Sequence, residues 1–224
     1  PARGLVIVGT PIGNRHDITL RALALLRSVD LVACEDTRVT GKLLTLHGIR
    51  APLLAYHEHN AERVRPQLLA RLAKGERIAL VSDAGMPLIS DPGYKLVRAA
   101  IAAGLPVSVA PGPSAVLAAL VLSGLPSDRF LFAGFLPPRE AARRSALAEL
   151  APVKASLIFF EAPSRLAAAL ADMAAVLGDR EAAVARELTK LFEEVRRDRL
   201  TALAAHYEAA GPPKGELVVT VGPP

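Results

Sequence analysis

Three segments rich in glycine and proline could form a ligand pocket built largely from backbone. They are GTPIGN at residues 9–14, SDAGMPLISDPG at residues 82–93 and PGPS at residues 111–114, and each follows a short apolar run typical of a buried strand. Ligands in open α/β sheets bind beyond the carboxyl ends of strands, and glycine lets the backbone approach them closely. The sequence contains neither GxGxxG nor a P-loop motif, so it lacks the phosphate cradles of the dinucleotide-binding and P-loop proteins. The three segments together predict a pocket for another kind of small molecule.

Charged side chains near two other predicted strand ends could act on a substrate. Glu35, Asp36 and Arg38 follow one such strand, where a carboxylate can bind a ribose and an arginine can contact RNA phosphate. A simple surface pair of Asp36 with Arg38 explains the same residues. Glu187 and Lys190 are three residues apart and would share a face of a helix, with Glu187 acting as a base or as half of an ion pair.

Histidine and cysteine offer little metal chemistry in this chain. His57 and His59 flank Glu58 and would share a face of an extended segment, but no third ligand is evident nearby, so we expect no metal. RNA contact or a helix N-terminus explains them better. Cys34 is the only cysteine and reads as a core residue, which fits a reducing compartment.

Composition favours a soluble, well-packed protein with a basic first half. The 224 residues are 51% hydrophobic and 22% charged, with a formal net charge of +5. Residues 1–112 hold 14 Lys and Arg against 9 Asp and Glu, whereas residues 113–224 hold 13 of each, so the whole surplus lies in the first half. A basic surface favours anionic partners such as RNA. The uncharged stretch 99–127 is divided by four prolines, so we expect no membrane span.

The periodicity of apolar residues predicts two α/β domains with mostly parallel sheets, residues 1–112 and 113–224. Near-continuous apolar strands separated by helices indicate sheets covered on both faces. The predicted strands are 5–9, 30–34, 51–55, 77–82, 107–110, 130–134, 156–160, 182–187 and 216–221. The predicted helices are 20–29, 39–47, 61–74, 94–103, 141–150, 164–177 and 200–209, with a further helix starting after Ser114.

The loops also carry a family resemblance. TPIGN at 10–14 followed by DITLRAL at 17–23, EDTR at 35–38, YHEHN at 56–60 and the whole 82–93 loop resemble the tetrapyrrole methylase family, in particular its ribosomal RNA branch. PGPSA at 111–115, GFLP at 134–137, RELTK at 186–190 and KGE at 214–216 continue the match in order. It spans about residues 5–219 and departs from the family pattern at Arg15, His16, Met86 and Ser164.

The resemblance implies a class III methyltransferase that binds S-adenosylmethionine in a cleft between the two α/β domains and forms a homodimer. The implied reaction is 2′-O-ribose methylation of a cytidine in the decoding region of 16S ribosomal RNA, carried out on the small ribosomal subunit in the cytoplasm without metal or membrane. The donor-binding residues that it implies are Thr10, Pro11, Gly13, Asp83, Gly85, Met86, Pro87, Ile89, Ser114, Ala115, Leu188 and Gly215.

Charged residues near these loops are the candidates for catalysis and RNA binding. Glu187 and Asp36 are the candidate bases. Arg38 and Lys42 would share a helix face beside the donor, and the arginines after residues 136–138 would form an exposed approach or simply a solvated helix end. The candidate RNA contacts are Arg38, Lys42, His57, Arg139, Arg143 and Arg144.

Two other functions fit the same residues. A tetrapyrrole (precorrin) ring methylase on this fold would need a roomy apolar trough in place of a basic rim. A ribosome-binding protein without catalytic activity would bind RNA with an affinity that the donor does not change, and it would transfer no methyl group.

Overall fold

The structure, a computed structural model, describes residues 3–89 and 93–224 and divides the chain into unit 1, residues 1–114, and unit 2, residues 115–224. The sequence analysis places the boundary two residues earlier. Residues 90–92 of the second glycine-rich segment lie outside the described residues. Each unit is a five-stranded sheet with helices, as expected for two α/β domains.

Unit 1 is built on a parallel sheet whose strand order brings the three glycine-rich loops together. Its strands are β1 (Leu5–Val8), β2 (Leu31–Cys34), β3 (Leu53–Ala55), β4 (Ile78–Leu80) and β5 (Val107–Ala110). They are ordered β3-β2-β4-β1-β5, and all four pairings are parallel. Since β4, β1 and β5 are neighbours, the three loops that follow them emerge at the same edge of the sheet.

Helices cover both faces of this sheet because β1 presents apolar side chains alternately to either side. Val6 and Val8 pack in the same cluster as residues of α1 (Leu20–Ser28) and α2 (Thr37–Leu46). Leu5 and Ile7 pack with residues of α3 (Ala61–Ala73) and α4 (Tyr94–Ala102). Thr19 caps α1 by accepting a hydrogen bond from the Ala22 amide at 3.0 Å.

Unit 2 has a five-stranded sheet of mixed direction. Its strands are β6 (Phe130–Phe135), β7 (Ser156–Glu161), β8 (Glu181–Arg186), β9 (Glu194–Arg199) and β10 (Leu217–Val221), in the order β6-β7-β10-β8-β9. Its helices are α5 (Ala115–Ser123), α6 (Glu140–Leu150), α7 (Leu166–Leu177) and α8 (Leu200–Ala210). No helix within the described ranges is long and apolar enough to cross a bilayer.

The expectation of a mostly parallel sheet is confirmed for unit 1 and is wrong for unit 2. Only β6 and β7 pair in parallel there, whereas β10 pairs antiparallel with both β7 and β8, and β9 pairs antiparallel with β8. The helical connections through α6 and α7 make β6, β7 and β8 run the same way. The chain then turns back directly into β9, and β10 returns between β7 and β8. The apolar sequence of a strand indicates that both faces of its sheet are covered. It does not determine whether the strand runs parallel or antiparallel to its neighbours.

Candidate functional site

The first two glycine-rich loops of unit 1 are joined by a pair of backbone hydrogen bonds. The Thr10 amide donates to the Gly85 carbonyl at 2.9 Å, and the Gly85 amide donates to the Thr10 carbonyl at 3.1 Å. The Thr10 hydroxyl donates to the Ser82 carbonyl at 3.1 Å, and the residue is only 1% exposed. The amide, the carbonyl and the hydroxyl proton of Thr10 are therefore used inside the protein, so this buried residue fixes the two loops relative to each other.

The third loop closes against the first through two glycines. A Cβ built on Gly9 would lie 2.7 Å from the Gly112 Cα and 2.8 Å from the Met86 sulfur. A Cβ on Gly112 would lie 2.9 Å from the Gly9 Cα. Such distances exclude any side chain at either position, so glycine is required for the loops to meet. The convergence that the sequence predicts for the three loops is present in unit 1.

Gly85 combines a left-handed backbone with close neighbours. Its φ is +81°, and a Cβ there would lie 3.2 Å from the Ile12 Cγ2 and 3.4 Å from the Pro113 carbonyl oxygen. In the same loop Pro87 is buried, Met86 is half-buried and Ile89 is exposed. This loop is buried at Gly85 and Pro87 and presents the Ile89 side chain to solvent.

A groove with a volume of about 360 Å³ opens beside the first two loops. Its floor is formed by the 11–13 and 82–84 segments, which include Asp83, and its wall is formed by α2. Arg15 and Lys42 are exposed at this groove. The donor candidates Pro11, Gly13 and Asp83 thus lie in one concave surface together with the RNA candidate Lys42.

Asp36 is the N-cap of α2. Its Oδ1 accepts a hydrogen bond from the Arg38 amide at 2.8 Å, and the Arg38 guanidinium contacts its carboxylate at 2.6 Å. Hydrogen bonds from the Arg38 side chain and backbone lower the pKa of Asp36 to about 2. A carboxylate with so low a pKa is a weak base, so the structure favours the surface pair over the catalytic role expected for Asp36.

Glu35 is the carboxylate near the loops whose properties suit proton transfer, whereas the sequence analysis names it only as a carboxylate that can bind a ribose. It is half-buried directly after β2, and the amide of the next residue, Asp36, donates to the Asp83 Oδ1 at 3.1 Å. Burial and the negative charge of Asp83 raise the pKa of Glu35, while His57 acts in the opposite direction. Its position after an apolar strand is the signal that could have identified it.

His57 is half-buried, which limits its value as an RNA contact. Its Nδ1 is buried without a hydrogen-bond partner, and its ring centroid lies 6.0 Å from that of His59 in an edge-to-face arrangement. Within residues 3–89 and 93–224, no group of three or more His, Cys, Asp or Glu side chains could hold a metal ion.

Glu187 and Lys190 lie in a turn, so the helix considered for this segment is wrong. Glu187 and Thr189 have φ values of 51° and 67°, and the Lys190 amide donates to the Glu187 carbonyl at 3.0 Å. The Glu187 Oε1 accepts hydrogen bonds from the Lys190 Nζ at 2.9 Å and from the Glu216 amide at 3.0 Å. The Glu216 amide, followed by Lys190, lowers the pKa of Glu187, so the geometry favours the ion pair over the base.

The neighbours of Glu187 include two residues expected to bind the donor. A Cβ on Gly215 would overlap the Glu187 carboxylate, so glycine there makes room for this acid. Leu188 is buried between the two residues with positive φ. Both residues support the turn, and their contact with a donor stays a prediction, as it does for Ser114 and Ala115 at the division between the units.

Arg143 is buried, so its expected role as an exposed RNA contact is wrong. It is 6% exposed, its Nε donates to the Asp172 Oδ2 at 2.7 Å, and its Nη1 donates to the Pro138 carbonyl at 3.0 Å. A buried arginine with a paired carboxylate is a packing element. Arg144 is half-exposed and lies 3.5 Å from the Asp172 Oδ1, while Arg139 is exposed ahead of α6.

Comparison with known proteins identifies a family that this chain matches and relatives with similar sequences. The family described as "Tetrapyrrole (Corrin/Porphyrin) Methylases" matches residues 4–204. A protein of Mesorhizobium japonicum named "Ribosomal RNA small subunit methyltransferase I" is 58% identical over 228 residues, which cover 100% of this chain and 78% of that protein. A Thermotoga maritima protein with the same name is 46% identical over 217 residues, 97% of each chain.

Solved structures of low sequence identity share the fold. Diphthine synthase matches with a TM-score of 0.73 at 17% identity, covering 97% of this chain and 89% of that one. Uroporphyrin-III C-methyl transferase from Thermus thermophilus, complexed with S-adenyl homocysteine, matches with a TM-score of 0.66 at 20% identity, covering 99% and 97% of the two chains.

Proposed function

Because this chain belongs to the tetrapyrrole methylase family, we propose that it methylates the ribose 2′-hydroxyl of a cytidine in the decoding region of 16S ribosomal RNA. It is an S-adenosylmethionine-dependent methyltransferase. The observation that carries the proposal is the 58% identity, along the whole chain, with a protein named for methylating the RNA of the small ribosomal subunit.

The loops of unit 1 fit a donor that is recognised largely by backbone. The contact between Gly9 and Gly112, together with the left-handed Gly85, lets the backbones of the three loops approach each other more closely than side chains would allow. When bound, S-adenosylmethionine supplies a methyl group on a positively charged sulfur that an oxygen nucleophile can attack in line. Thr10 holds the first two loops in register, so that the hydroxyl and the methyl group can be aligned. The residues of unit 1 assigned to the donor are Pro11, Gly13, Asp83, Gly85, Met86, Pro87 and Ile89.

Glu35 accepts the proton of the ribose hydroxyl in this proposal. A ribose hydroxyl is a weak acid, so a positioned base accelerates its attack on the methyl group. The raised pKa of Glu35 makes it a stronger base than Asp36 or Glu187, whose pKa values are lowered. The amide of its neighbour Asp36 donates a hydrogen bond to Asp83 in the second loop, so Glu35 directly precedes a residue that contacts this loop.

The proposal also includes a homodimeric assembly and a cytoplasmic location. Unit 2 exposes large apolar side chains on α5 and in the turn between β8 and β9, among them Leu191 at 90% and Phe192 at 68%. Exposed apolar side chains of this size favour an interface, and a two-fold homodimer is the commonest closed assembly. A small-subunit substrate places the enzyme in the cytoplasm.

One alternative keeps the methyl donor and changes the acceptor. The solved structures that share this fold include a cobalt precorrin-4 methyltransferase, at 20% identity and a TM-score of 0.71. A precorrin ring would need a wide apolar trough, whereas the groove beside the donor loops of unit 1 has a volume of only about 360 Å³ and carries two basic side chains. These features favour RNA.

A transfer assay with three acceptors tests the proposal. Tritiated S-adenosylmethionine is incubated with the protein and with 30S subunits from a strain that lacks this modification, with free 16S ribosomal RNA, or with a precorrin. We expect label in the RNA of the subunits. Label in the precorrin alone would support the ring methylase, and RNA binding without any transfer would support the non-catalytic binding protein.

A further inference from the structure

The groove of unit 1 is lined in part by α2, whose residues are not assigned to the donor. Its wall is the solvent-facing side of α2, where Val39 is 42% exposed and Leu46 is 58% exposed, with Leu43 half-buried between them. Its volume of about 360 Å³ falls in the range of small-ligand pockets. Apolar side chains at the surface of a helix beside a reaction centre favour contact with a flat apolar partner.

Two cations stand at this groove without a carboxylate partner. Within the described residues, neither Arg15 nor Lys42 forms a salt bridge, and the only side-chain contact of Arg15 is a 3.4 Å hydrogen bond to His16. Arg38, one turn before Lys42, is instead held by Asp36 at 2.6 Å. The charge that remains available for a ligand therefore belongs to Arg15 and Lys42, on two elements that both line the groove.

The groove also adjoins the donor loops. Pro11, Gly13 and Asp83 line it and belong to the two loops that Thr10 and Gly85 join. A group seated in the groove therefore lies next to the donor site. RNA is read by sequence mainly where bases are unstacked and can lie against apolar or planar side chains.

We propose that this groove holds the nucleotide that is methylated, with its base against Val39, Leu43 and Leu46 and its phosphates on Arg15 and Lys42. This inference rests on the proposed function and deepens it, because it names the part of unit 1 that binds the acceptor. It also replaces Arg38 with Arg15 as the partner of Lys42.

A charge-removal experiment tests the two cations. The variant Arg15→Ala/Lys42→Ala is compared with Arg63→Ala/Arg98→Ala, which removes two exposed cations from α3 and α4 on the other face of the sheet. Each phosphate contact contributes about −0.7 to −0.9 to the slope of log K against log salt concentration. Two lost contacts therefore flatten the slope by about 1.4 to 1.8 and weaken RNA binding about 25- to 60-fold at about 0.1 M salt. The control pair should keep the wild-type slope.

A second pair of variants tests the apolar wall. Val39→Glu places a negative charge in the groove, whereas Ile101→Glu places one on α4 at a side chain that is also exposed. We expect Val39→Glu to raise the KM for RNA while the Kd for S-adenosylmethionine, measured by calorimetry, stays at the wild-type value. Ile101→Glu should leave both constants unchanged.

The outcomes separate this inference from the proposed function. If the wild-type protein methylates 30S subunits but the groove variants bind RNA as the control variants do, the groove is not the acceptor site. If the wild-type protein transfers no methyl group to RNA, the proposed function fails. Loss of RNA binding in the groove variants would even then support the groove as the place where RNA binds.

Discussion

Thr10 and Gly85 exchange two backbone hydrogen bonds, at 2.9 and 3.1 Å, between loops that are 75 residues apart in the chain. This isolated bridge ties the loop after β1 to the loop after β4. Because both residues use their backbone amides and carbonyls on each other, hydrogen bonds to a ligand are left to their neighbours Pro11, Gly13, Asp83 and Met86. The bridge thus fixes the two loops relative to each other.

The substitution Gly85→Val should abolish binding of S-adenosylmethionine. The valine would meet Ile12 and Pro113 and would have to adopt a φ of +81°. That backbone conformation costs about 1–2 kcal/mol of folding stability in a residue with a Cβ. Calorimetric titration with the donor measures the loss, and circular dichroism checks that the chain stays folded.

Gly48→Val is the matched control for Gly85→Val. Gly48 has a φ of +62° with open space around it, so its replacement causes backbone strain without touching the loops. Both variants should lose the stability that the backbone strain costs, Gly85→Val should lose more because its side chain meets Ile12 and Pro113, and only Gly85→Val should lose the donor. Equal donor affinity in the two variants would remove Gly85 from the site.

Glu35→Gln should lower kcat by about 100-fold or more, the usual contribution of a general base. The glutamine keeps the size of the side chain and removes its ability to accept the ribose proton. Asp36→Asn is the control, because asparagine can still cap α2 and Asp36 takes no part in the reaction that we propose. A Glu35→Gln variant with a wild-type kcat on 30S subunits would exclude Glu35 as the base.

The same variant should change the dependence of stability on pH. The pKa of Glu35 is raised on folding, so the folded state binds more protons than the unfolded state above pH of about 4.3. The free energy of unfolding of the wild-type protein should therefore fall as the pH rises through this range, until Glu35 is ionised in the folded state. Urea titrations between pH 4 and 8 should find a weaker fall in Glu35→Gln, and equal slopes would contradict the raised pKa.

Arg38→Ala should leave the salt dependence of RNA binding nearly unchanged, whereas Lys42→Ala should flatten its slope by about 0.7 to 0.9. The charge of Arg38 is neutralised by Asp36, although its side chain is exposed, while Lys42 has no salt bridge in the described part of unit 1. Fluorescence anisotropy with labelled RNA at several salt concentrations gives both slopes. A larger change in Arg38→Ala than in Lys42→Ala would reverse the assignment.

Sedimentation at micromolar concentration should give twice the mass of the 23.6 kDa chain. Replacing the exposed Leu191 and Phe192 with glutamate should shift the protein towards the monomer, because it charges two strongly exposed apolar side chains of unit 2. Leu20→Glu, at a residue of unit 1 that is 86% exposed, is the control and should remain a dimer. A monomeric wild-type protein would contradict the proposed assembly.

Sequence patterns predict the strands that are rich in apolar residues and miss strand β9, which is not. The strands of unit 1 can be predicted from the sequence because they are short apolar segments between helices. Strand β9, Glu194–Arg199, contains a single apolar residue and pairs only with β8 at the edge of its sheet. Strand β9 is formed by its hydrogen bonds with β8. Its own residues show no alternation of apolar and polar side chains that would predict a strand.

In the candidate site, too, features with local causes could be predicted from the sequence, whereas features that depend on distant residues could not. The meeting of Gly9, Gly85 and Gly112 is foreseeable, because glycine and proline report local backbone needs at strand ends. The burial of Arg143 depends on Asp172, which is 29 residues away, and the turn at Glu187 depends on the Glu216 amide, which is also 29 residues away. Spacing along a short segment carries no information about such distant partners, so it predicts the ion pair of Glu187 with the nearby Lys190 but neither the burial of Arg143 nor the turn at Glu187.

The most direct test of the proposed reaction is to map the methyl group that the protein adds to 30S subunits. A 2′-O-methyl group leaves the ribose without a free hydroxyl, so the RNA backbone resists alkaline cleavage at that nucleotide. After incubation with S-adenosylmethionine, a single new resistant position should be found, at a cytidine in the decoding region of 16S ribosomal RNA. A label found on a base, at a nucleotide outside that region, or nowhere in the RNA would contradict the proposal.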